Sequence, residues 1–285
     1  MQIRPMRDET YIRLIKLLPK SALSSLIGTL TRSPAPAALH RLAIRGFARR
    51  YGVRLDEAEL ELHQYPTFAE FFARRLKPGL RPVEGGERVV VAPVDGTVSQ
   101  VGYVERGICL QAKGISYTLE PLLQDKAAAT HFEGGAFATL YLSPRDYHRV
   151  HAPLSGKIEG YTYIPGEFWP VNPTSVRIRQ DLFCRNERLV HYLRTLAGRC
   201  AVVQVGATCV ARIRASYDSM VTHSRQPART HRYPTPIPIS KGEELGVFEM
   251  GSTVILLFEK GRVRWDESLV PGASVQMGRR IGEVS

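Results

Sequence analysis

The segment Phe248-Glu-Met-Gly-Ser-Thr-Val-Ile-Leu-Leu-Phe258 decides the fold, because it ends in the longest unbroken apolar run of the chain, Val254 to Phe258. A short apolar run that follows a glycine step and precedes a Lys-Gly turn signal is typical of a buried β-strand. The run is far shorter than the ~20 apolar residues that span a bilayer, so it does not predict a transmembrane helix.

Similar runs occupy the rest of the chain beyond Pro82, separated by Asp-Gly, Gly-Gly and Lys-Gly turn signals. They begin at Arg88, Thr97, Ala136, Arg199 and Val210. We therefore predict an α+β fold in which residues 81–285 form a β-rich domain that is barrel-like or sandwich-like. The stretch from Tyr217 to Ser240 is rich in proline and arginine, and it is predicted to be a long basic loop.

Residues 1–80 are predicted to be an N-terminal helical region. Its apolar residues recur at helical spacing in three groups that Pro19 and the Pro34-Ala-Pro36 stretch separate. The groups are Tyr11, Leu14, Ile15 and Leu18; Leu23, Leu26, Ile27 and Leu30; and Leu39, Leu42, Ala43 and Phe47. A further helix is expected from Pro66 to Arg75, because Thr67 and Glu70 have the spacing of a capping box.

The N-terminal region is also strongly basic. Residues 1–50 hold ten Lys or Arg and two acidic residues, which accounts for +8 of the formal net charge of +12. Amphipathic helices with basic flanks suit the surface of an anionic bilayer. Most amphipathic helices nevertheless pack their apolar stripe against their own protein, so both interpretations are open at this point.

The cysteines and the amino terminus indicate the compartment. Cys109, Cys184, Cys200 and Cys209 contain no CxxC pair, which favours reduced thiols and makes a cysteine zinc site unexpected. The first residues lack the apolar stretch and cleavage site of a secretory signal, so the chain is expected to stay in the cytoplasm.

Three segments carry residues that suit catalysis. Asp95 precedes Gly96 between two apolar runs, a pattern that locally predicts a hairpin turn. His148 and His151 form a His-x-x-His pair, which suits proton transfer or metal binding, although a catalytic zinc would need a third protein ligand. The Ser252 hydroxyl could attack the Gly251 carbonyl carbon if a base took its proton and an acid oriented that base.

Read together, these segments resemble the membrane-bound phosphatidylserine decarboxylases, which are pyruvoyl enzymes. The fragments that carry the resemblance are Phe71-Phe72-Ala-Arg-Arg-Leu-Lys-Pro-Gly-Leu-Arg-Pro-Val83, the turn at Asp95, Ser143 to Pro153, Ile164-Pro-Gly166 with Val171-Asn-Pro173, Gln204-Val-Gly-Ala-Thr208, and Gly251-Ser-Thr253. Each is weak alone, and their order along nearly the whole chain is specific. Met250 stands where the family usually has leucine, a change of little volume.

The resemblance implies a self-processing proenzyme. It predicts cleavage between Gly251 and Ser252, with Ser252, His151 and Asp95 acting together in the cut. A chain 1–251 and a chain 252–285 would result and stay associated. Ser252 would become a covalent pyruvoyl group that forms a Schiff base with phosphatidylserine, releasing CO2 and leaving phosphatidylethanolamine. The family ties the first histidine, His148, to decarboxylation, and no metal is required.

The resemblance also bears on partners and location. It favours docking of the basic helices on an anionic membrane, at the cytoplasmic face of the inner membrane, with no nucleic-acid partner. A homodimer is left open. The alternatives are a pyruvoyl-dependent decarboxylase of another amino substrate, a biotinyl- or lipoyl-like carrier module suggested by Ala92-Pro-Val-Asp-Gly-Thr-Val98, and a zinc hydrolase that uses the two histidines. The carrier module lacks a modifiable lysine beside Asp95.

Overall fold

The computed structural model describes residues 20–34, 36–112, 115–208, 212–222, 226–249 and 252–285. The first predicted helix, around Tyr11 to Leu18, lies outside these residues. The α-helices of the described part are α1 (Lys20–Arg32), α2 (Ala37–Tyr51), α3 (Phe68–Phe72), α4 (Leu119–Leu123), α5 (Lys126–His131), α6 (Pro173–Ile178) and α7 (Leu182–Arg185). Two short 3-10 helices, Leu55–Glu57 and Leu62–Gln64, lie between α2 and α3.

Strands dominate the chain from residue 89 onward. They are β1 (Val89–Val91), β2 (Gly96–Tyr103), β3 (Ile108–Ala112), β4 (Ile115–Thr118), β5 (Gly135–Leu142), β6 (Arg149–His151), β7 (Gly156–Ile164), β8 (Arg188–Thr195), β9 (Gly198–Val205), β10 (Ile213–Ala215), β11 (Arg229–Ile239), β12 (Glu244–Phe248), β13 (Ser252–Lys260), β14 (Val263–Trp265), β15 (Ser274–Val275) and β16 (Arg280–Val284).

The main sheet has eight antiparallel strands in the order β11-β7-β8-β9-β13-β5-β2-β15. Two three-stranded sheets, β1-β16-β14 and β10-β12-β6, and the hairpin β3-β4 accompany it. In the described residues the edge strands β11 and β15 do not pair with each other, so the sheet is open. The prediction of an α+β fold with a sandwich-like, β-rich body is confirmed.

The apolar run in β13 is explained by a core on each face of the main sheet. Val254, Leu256 and Phe258 belong to one core, which the two three-stranded sheets close. Ile255 and Leu257 belong to the other, which the β3-β4 hairpin and helices α4 to α7 close. Successive side chains of a strand point to opposite faces, so a strand covered on both sides is apolar at every position.

Helices α1 and α2 confirm two of the three predicted N-terminal helices. The predicted stripe of α2 faces mostly outward, because Leu39, Leu42 and Ala43 are exposed and only Phe47 packs against the protein. The residues of α2 that are buried in a separate cluster with Phe71 are Ile44 and Ala48, one position further along the helix than Ala43 and Phe47. The exposed leucines are Leu26 at 58%, Leu30 at 64%, Leu39 at 60% and Leu42 at 68%. Packing against the protein therefore accounts for only part of the stripe.

Helix α3 begins where the capping box predicts. The Thr67 hydroxyl accepts a hydrogen bond from the Glu70 backbone N–H at 3.2 Å. Such a cap satisfies one of the free N–H groups of the first turn. The helix ends at Phe72, three residues earlier than the sequence pattern suggests.

Two local predictions are wrong. Asp95 and Gly96 do not form a hairpin turn, because β1 pairs with β16 while β2 pairs with β5 and β15. The predicted basic loop contains an eleven-residue strand, β11, whose pairing with β7 is irregular between Arg232 and Ile237. Proline lacks a backbone N–H, and it is tolerated there because β11 is an edge strand.

Candidate active site

The predicted scissile bond lies at the entry to the central strand of the main sheet. The Ser252 backbone begins β13 opposite Leu142 of β5, and Thr253 lies between Tyr141 and Val205 of the two neighbouring strands. Met250, Gly251 and the side chain of Ser252 lie outside the described residues, so the bond is located by the backbone on either side of it.

Asp95 lies at the same end of the sheet as Ser252. Gly96 begins β2, and Thr97 pairs with the same Tyr141 that pairs with Thr253 from the other side. The two strands are thus separated by β5 alone, which puts their backbones roughly 10 Å apart. A Cβ on Gly96 would lie 2.4 Å from the Tyr141 carbonyl oxygen, so this close approach requires glycine.

His148 is completely buried and has an unused ring nitrogen. Its Nδ1 lies 2.8 Å from the Asp146 carbonyl oxygen, which can only accept, so Nδ1 carries the proton and Nε2 the lone pair. Nε2 has no hydrogen-bond partner among the described residues. The Phe72 ring covers the imidazole at 4.1 Å between centroids. Burial, assisted by the positive charge of Arg74, lowers the pKa of His148 to about 3.

The backbone places His148 close to the cleavage segment. The Phe248 N–H donates to the His148 carbonyl oxygen at 3.0 Å, and Phe248 is the last residue of β12, four positions before Ser252. Strand β6, which follows His148, pairs with β12 along its length.

His151 is held between a carbonyl and a phenol. Its Nδ1 donates to the Gly242 carbonyl oxygen at 2.8 Å, and its Nε2 lies 3.1 Å from the Tyr147 hydroxyl. The Tyr147 ring stacks on the imidazole with 5.6 Å between centroids. Burial lowers the pKa of His151, so the ring is neutral and the lone pair on its Nε2 is available to a proton donor.

Asp95 does not hydrogen-bond to His151 in this structure. Its carboxylate accepts from Arg81, with Nη2 at 2.6 Å and Nε at 2.9 Å, and from the Met277 backbone N–H at 2.9 Å. The direct Asp95–His151 hydrogen bond implied by the resemblance is therefore not present. The Nδ1 of His151 donates to the Gly242 carbonyl oxygen instead of the Asp95 carboxylate.

Asp95 and His151 are neighbours all the same. The His151 N–H donates to the Pro93 carbonyl oxygen at 2.9 Å, two residues before Asp95. Asp95 and Tyr147 line one cavity of about 420 Å³. The negative charge of Asp95 also acts on His151, favouring its protonated form against the effect of burial.

Sequence reasoning missed the residues that position the predicted ones. Arg81 joins Asp95 to Glu57, with 2.9 Å between Arg81 Nη2 and the Glu57 carboxylate. Tyr147 and Gly242 fix the ring of His151. Arg81 and Tyr147 lie inside the stretches that carry the family resemblance, which was the available signal for them. Gly242 had none, because it acts through its backbone carbonyl.

The buried state of His148 predicts a pH effect on stability. Its pKa is about 3 in the fold against an ordinary 6.5, so the unfolded chain binds one more proton between these values. We expect the free energy of unfolding to fall as the pH is lowered from 6.5 towards 3. In the Ser252→Ala background, where one polypeptide unfolds, His148→Gln should reduce this slope by up to about 1.4 kcal/mol per pH unit.

Urea denaturation at several pH values measures the effect. The matched control is His63→Gln, because His63 is exposed and should leave the slope unchanged. Equal slopes for the two variants between pH 4 and pH 6 would contradict a buried, neutral His148.

Metal clusters and membrane-spanning helices are both absent from the described residues. Within the described ranges, no group of three or more His, Cys, Asp or Glu side chains is arranged to hold a metal ion. Among the same residues, no helix combines the length and the apolar character needed to cross a bilayer.

Comparison with known proteins shows the family to which the chain is similar. A family model described as phosphatidylserine decarboxylase matches residues 68–283, and a second, described as PSD, matches residues 12–52. The phosphatidylserine decarboxylase proenzyme of Myxococcus xanthus is 62% identical over 280 residues, which cover 98% of this chain and 100% of that protein.

Two further relatives carry the same name. The proenzyme of Anaeromyxobacter sp. (strain K) is 55% identical over 97% of this chain and 99% of its own length. That of Alcanivorax borkumensis is 42% identical over 97% of both chains. Given these matches over nearly the full length and the clustering of Asp95, His148, His151 and Ser252 at one end of the main sheet, the chain belongs to the phosphatidylserine decarboxylase family of carboxy-lyases.

Proposed function

We propose that the chain cuts itself between Gly251 and Ser252, and that the new chain end then serves the reaction of its family, conversion of phosphatidylserine to phosphatidylethanolamine. The observation that carries the proposal is the buried, neutral His148, whose Nε2 has no partner among the described residues beside the segment that leads to Ser252. A buried polar atom without a partner is costly, so it is expected at a place where a substrate supplies one.

The cut is proposed to use Ser252 as the nucleophile and His151 as the base. The Ser252 hydroxyl attacks the Gly251 carbonyl carbon while its proton passes to Nε2 of His151, which carries a lone pair because Nδ1 donates to Gly242. The Gly251–Ser252 C–N bond then breaks as the imidazolium gives that proton to the Ser252 nitrogen, which leaves an ester. Loss of the Ser252 Cα proton expels the Gly251 carboxylate, and water hydrolyses the resulting dehydroalanine to the pyruvoyl group and ammonia. Tyr147 must release Nε2 for the attack. The negative charges of Glu244 and Asp95 stabilise the imidazolium that forms.

The pyruvoyl group used by the family would stand at the amino end of the chain 252–285, where its carbonyl withdraws electrons from the carbon that loses CO2. His148 is proposed to handle the proton. Its Nε2 lone pair accepts a hydrogen bond from the substrate ammonium, and His148 guides the proton that the α-carbon takes up after CO2 leaves. Burial keeps the neutral ring in a dry site, which favours this proton transfer over protonation by solvent.

The two chains are proposed to remain together after the cut. The chain 252–285 would keep β13, which is hydrogen-bonded to β5 on one side and β9 on the other. It would also keep β16, which pairs with β1. Separation would break both ladders of the central strand and open both cores. The two chains should therefore co-purify under native conditions.

The N-terminal region, residues 1–80, is proposed to dock on an anionic membrane at the cytoplasmic face of the inner membrane, apart from the body 81–285. Support comes from its own hydrophobic cluster around Ile44 and Phe71 and from its outward leucines. Helix α2, which carries two of these leucines, also carries four exposed arginines: Arg41, Arg45, Arg49 and Arg50. Each basic side chain near an anionic surface adds about 1 kcal/mol to binding.

Vesicle flotation tests this docking. Vesicles that contain phosphatidylglycerol should carry the protein to the top of a gradient, and Leu39→Glu with Leu42→Glu should reduce the bound fraction at least tenfold, because two charges would enter the interface. Raising the salt concentration should also weaken binding. The matched control is Leu196→Glu, since Leu196 is 56% exposed in the turn between β8 and β9. An equal loss of vesicle binding in the Leu39→Glu/Leu42→Glu and Leu196→Glu variants, or binding that does not depend on anionic lipid, would overturn the docking proposal.

The activity is tested directly on purified protein. Phosphatidylserine labelled in its carboxyl group should release labelled CO2 and yield an equal amount of phosphatidylethanolamine. Intact mass spectrometry should show chains 1–251 and 252–285, the smaller with a blocked amino end. Processing without turnover of phosphatidylserine would overturn the substrate, and turnover by an uncut chain would overturn the self-cleavage.

A further inference from the structure

Arg74 is a buried arginine without an anionic partner. Its side chain follows α3 and is 3% exposed. Nη2 donates to the Arg145 and Asp146 carbonyl oxygens at 3.0 and 3.5 Å, and the guanidinium lies over the Phe71 ring, 5.3 Å from its centroid. Nε and Nη1 have no hydrogen-bond partner among the described residues, and no ion pair is found there either. A buried charge left in this state is strongly unfavourable unless something else pairs with it.

The other buried arginines show what a satisfied one looks like. Arg188, which is fully buried, uses Nε, Nη1 and Nη2 to donate to four backbone carbonyl oxygens. Arg81 is paired with the carboxylates of Asp95 and Glu57. Both therefore have a structural explanation that Arg74 lacks.

Arg74 lines a cavity of about 610 Å³, a volume typical of a small-ligand site. Arg32 at the end of α1, the helix whose Leu26 and Leu30 are exposed, lines the cavity and forms an ion pair of 3.6 Å with Glu249. Glu249 also lines the cavity and lies three residues before Ser252. The lining holds five arginines, namely Arg32, Arg74, Arg75, Arg149 and Arg214, against Glu59, Glu70 and Glu249. The cavity thus lies beside both the helix proposed to face the membrane and the cleavage segment, and its excess of arginines favours an anion.

Phosphatidylserine has two anionic groups, and the reaction distinguishes them. The carboxylate loses its charge as CO2 departs, so an arginine paired with it would stabilise the ground state more than the transition state and slow the step. The phosphodiester keeps its charge throughout. An arginine paired with the phosphodiester stabilises both states equally and contributes to substrate binding without opposing decarboxylation.

We propose that the Arg74 guanidinium binds the phosphodiester of the phosphatidylserine headgroup in this cavity. The inference rests on the proposed function, since the anion is that of its substrate. It also fits the position of His148, because Phe72, two residues before Arg74, packs on the His148 ring. Arg74 also lies close enough to His148 for its positive charge to act on the imidazole.

The first test compares Arg74→Gln with Arg194→Gln. The Arg194 side chain is 56% exposed on β8, pairs with Glu159 at 2.7 Å and lies outside the cavity lining, which makes it a matched control. The substrates are short-chain phosphatidylserine and its phosphate methyl ester, which lacks the phosphodiester charge. In processed enzyme, Arg74→Gln should raise KM for the charged substrate at least tenfold, change kcat little and leave KM for the ester unchanged. Arg194→Gln should change none of these values.

The second test needs no turnover and no processing. Calorimetry on the uncut Ser252→Ala chain measures binding of dihexanoyl phosphatidylethanolamine, which has the phosphodiester and lacks the carboxylate. Adding Arg74→Gln should weaken binding at least tenfold, and adding Arg74→Lys, which keeps the charge, should weaken it less. Unchanged affinity, or an equal rise in KM for the charged substrate and its ester, would overturn the inference.

The two proposals fail separately. If purified protein does not decarboxylate phosphatidylserine but Arg74→Gln still abolishes phosphatidylethanolamine binding by the uncut chain, the proposed function fails and the phosphodiester site stands. If decarboxylation proceeds, Arg74→Gln behaves like Arg194→Gln in the kinetic test and it leaves phosphatidylethanolamine binding unchanged, only the inference fails.

Discussion

Replacing Ser252 by alanine is expected to leave one uncut polypeptide without decarboxylase activity. The proposed cut needs the Ser252 hydroxyl, and the proposed pyruvoyl group is made from the same residue, so both steps are lost together. Because no other side chain supplies an equivalent electron acceptor, the rate should fall by at least about 10⁶-fold, the low end of enzymatic accelerations. Denaturing electrophoresis and CO2 release measure the two effects.

Ser268→Ala is the matched control for this result. Ser268 is an exposed serine in the same predicted small chain, so its loss should leave cutting and activity unchanged. A cut Ser252→Ala protein, or an uncut protein that retains activity, would contradict the proposed chemistry. Ser252→Cys gives a further check, since a thiol can also attack the Gly251 carbonyl carbon and partial cutting is expected.

Replacing His148 by alanine is expected to separate the two activities. The protein should still cut, because His151 is the proposed base for the cut, whereas kcat for decarboxylation should fall about 10² to 10⁴-fold, the usual contribution of a positioned proton donor or acceptor. His151→Ala should leave an uncut chain, which therefore also lacks decarboxylase activity. Mass spectrometry reports the cut, and CO2 release reports kcat.

His63→Ala controls for the loss of a histidine, since His63 is exposed in the N-terminal region. Should His148→Ala block cutting while His151→Ala permits it, the two roles are reversed. Should both variants cut and decarboxylate normally, neither histidine takes part. A change in KM alone for His148→Ala would place its ring in substrate binding and not in proton transfer.

The fold was predictable where the pattern of apolar residues is compatible with only one type of structure. The apolar run at Val254 to Phe258 predicted a buried strand, and the two cores that flank it explain why no polar residue interrupts it. Its position in the centre of the sheet was not predictable, because a strand buried on both faces has the same pattern wherever it lies. The turn at Asp95 was misjudged since local composition does not reveal which strands pair.

The candidate site was predictable in its residue types and not in its contacts. The family resemblance singled out Asp95, His148, His151 and Ser252, and the backbone brings all four to one end of the main sheet. The partners of these groups depend on segments distant in the chain. Arg81 binds Asp95 from 14 residues away, and the Gly242 carbonyl binds His151 from 91 residues away. No spacing rule connects such positions.

The N-terminal helices show why the sequence pattern left two interpretations open. The spacing of apolar residues in α2 is the same for a stripe that faces the core and for one that faces outward. Ile44 and Ala48 proved buried, while Leu39 and Leu42 proved exposed. Which side of the helix faces the protein depends on the packing of Tyr65 and Phe71 against it, a tertiary contact that the spacing of apolar residues does not reveal.

The prolines of β11 also matter for how copies of the protein meet one another. Pro234, Pro236 and Pro238 remove three backbone donors from a strand that pairs with β7 alone. A sheet edge so poor in donors is a weak template for a strand from another molecule. On the membrane surface to which the chain is proposed to dock, copies would collide far more often than in bulk solution, and an edge that resists strand addition would keep them from aggregating there.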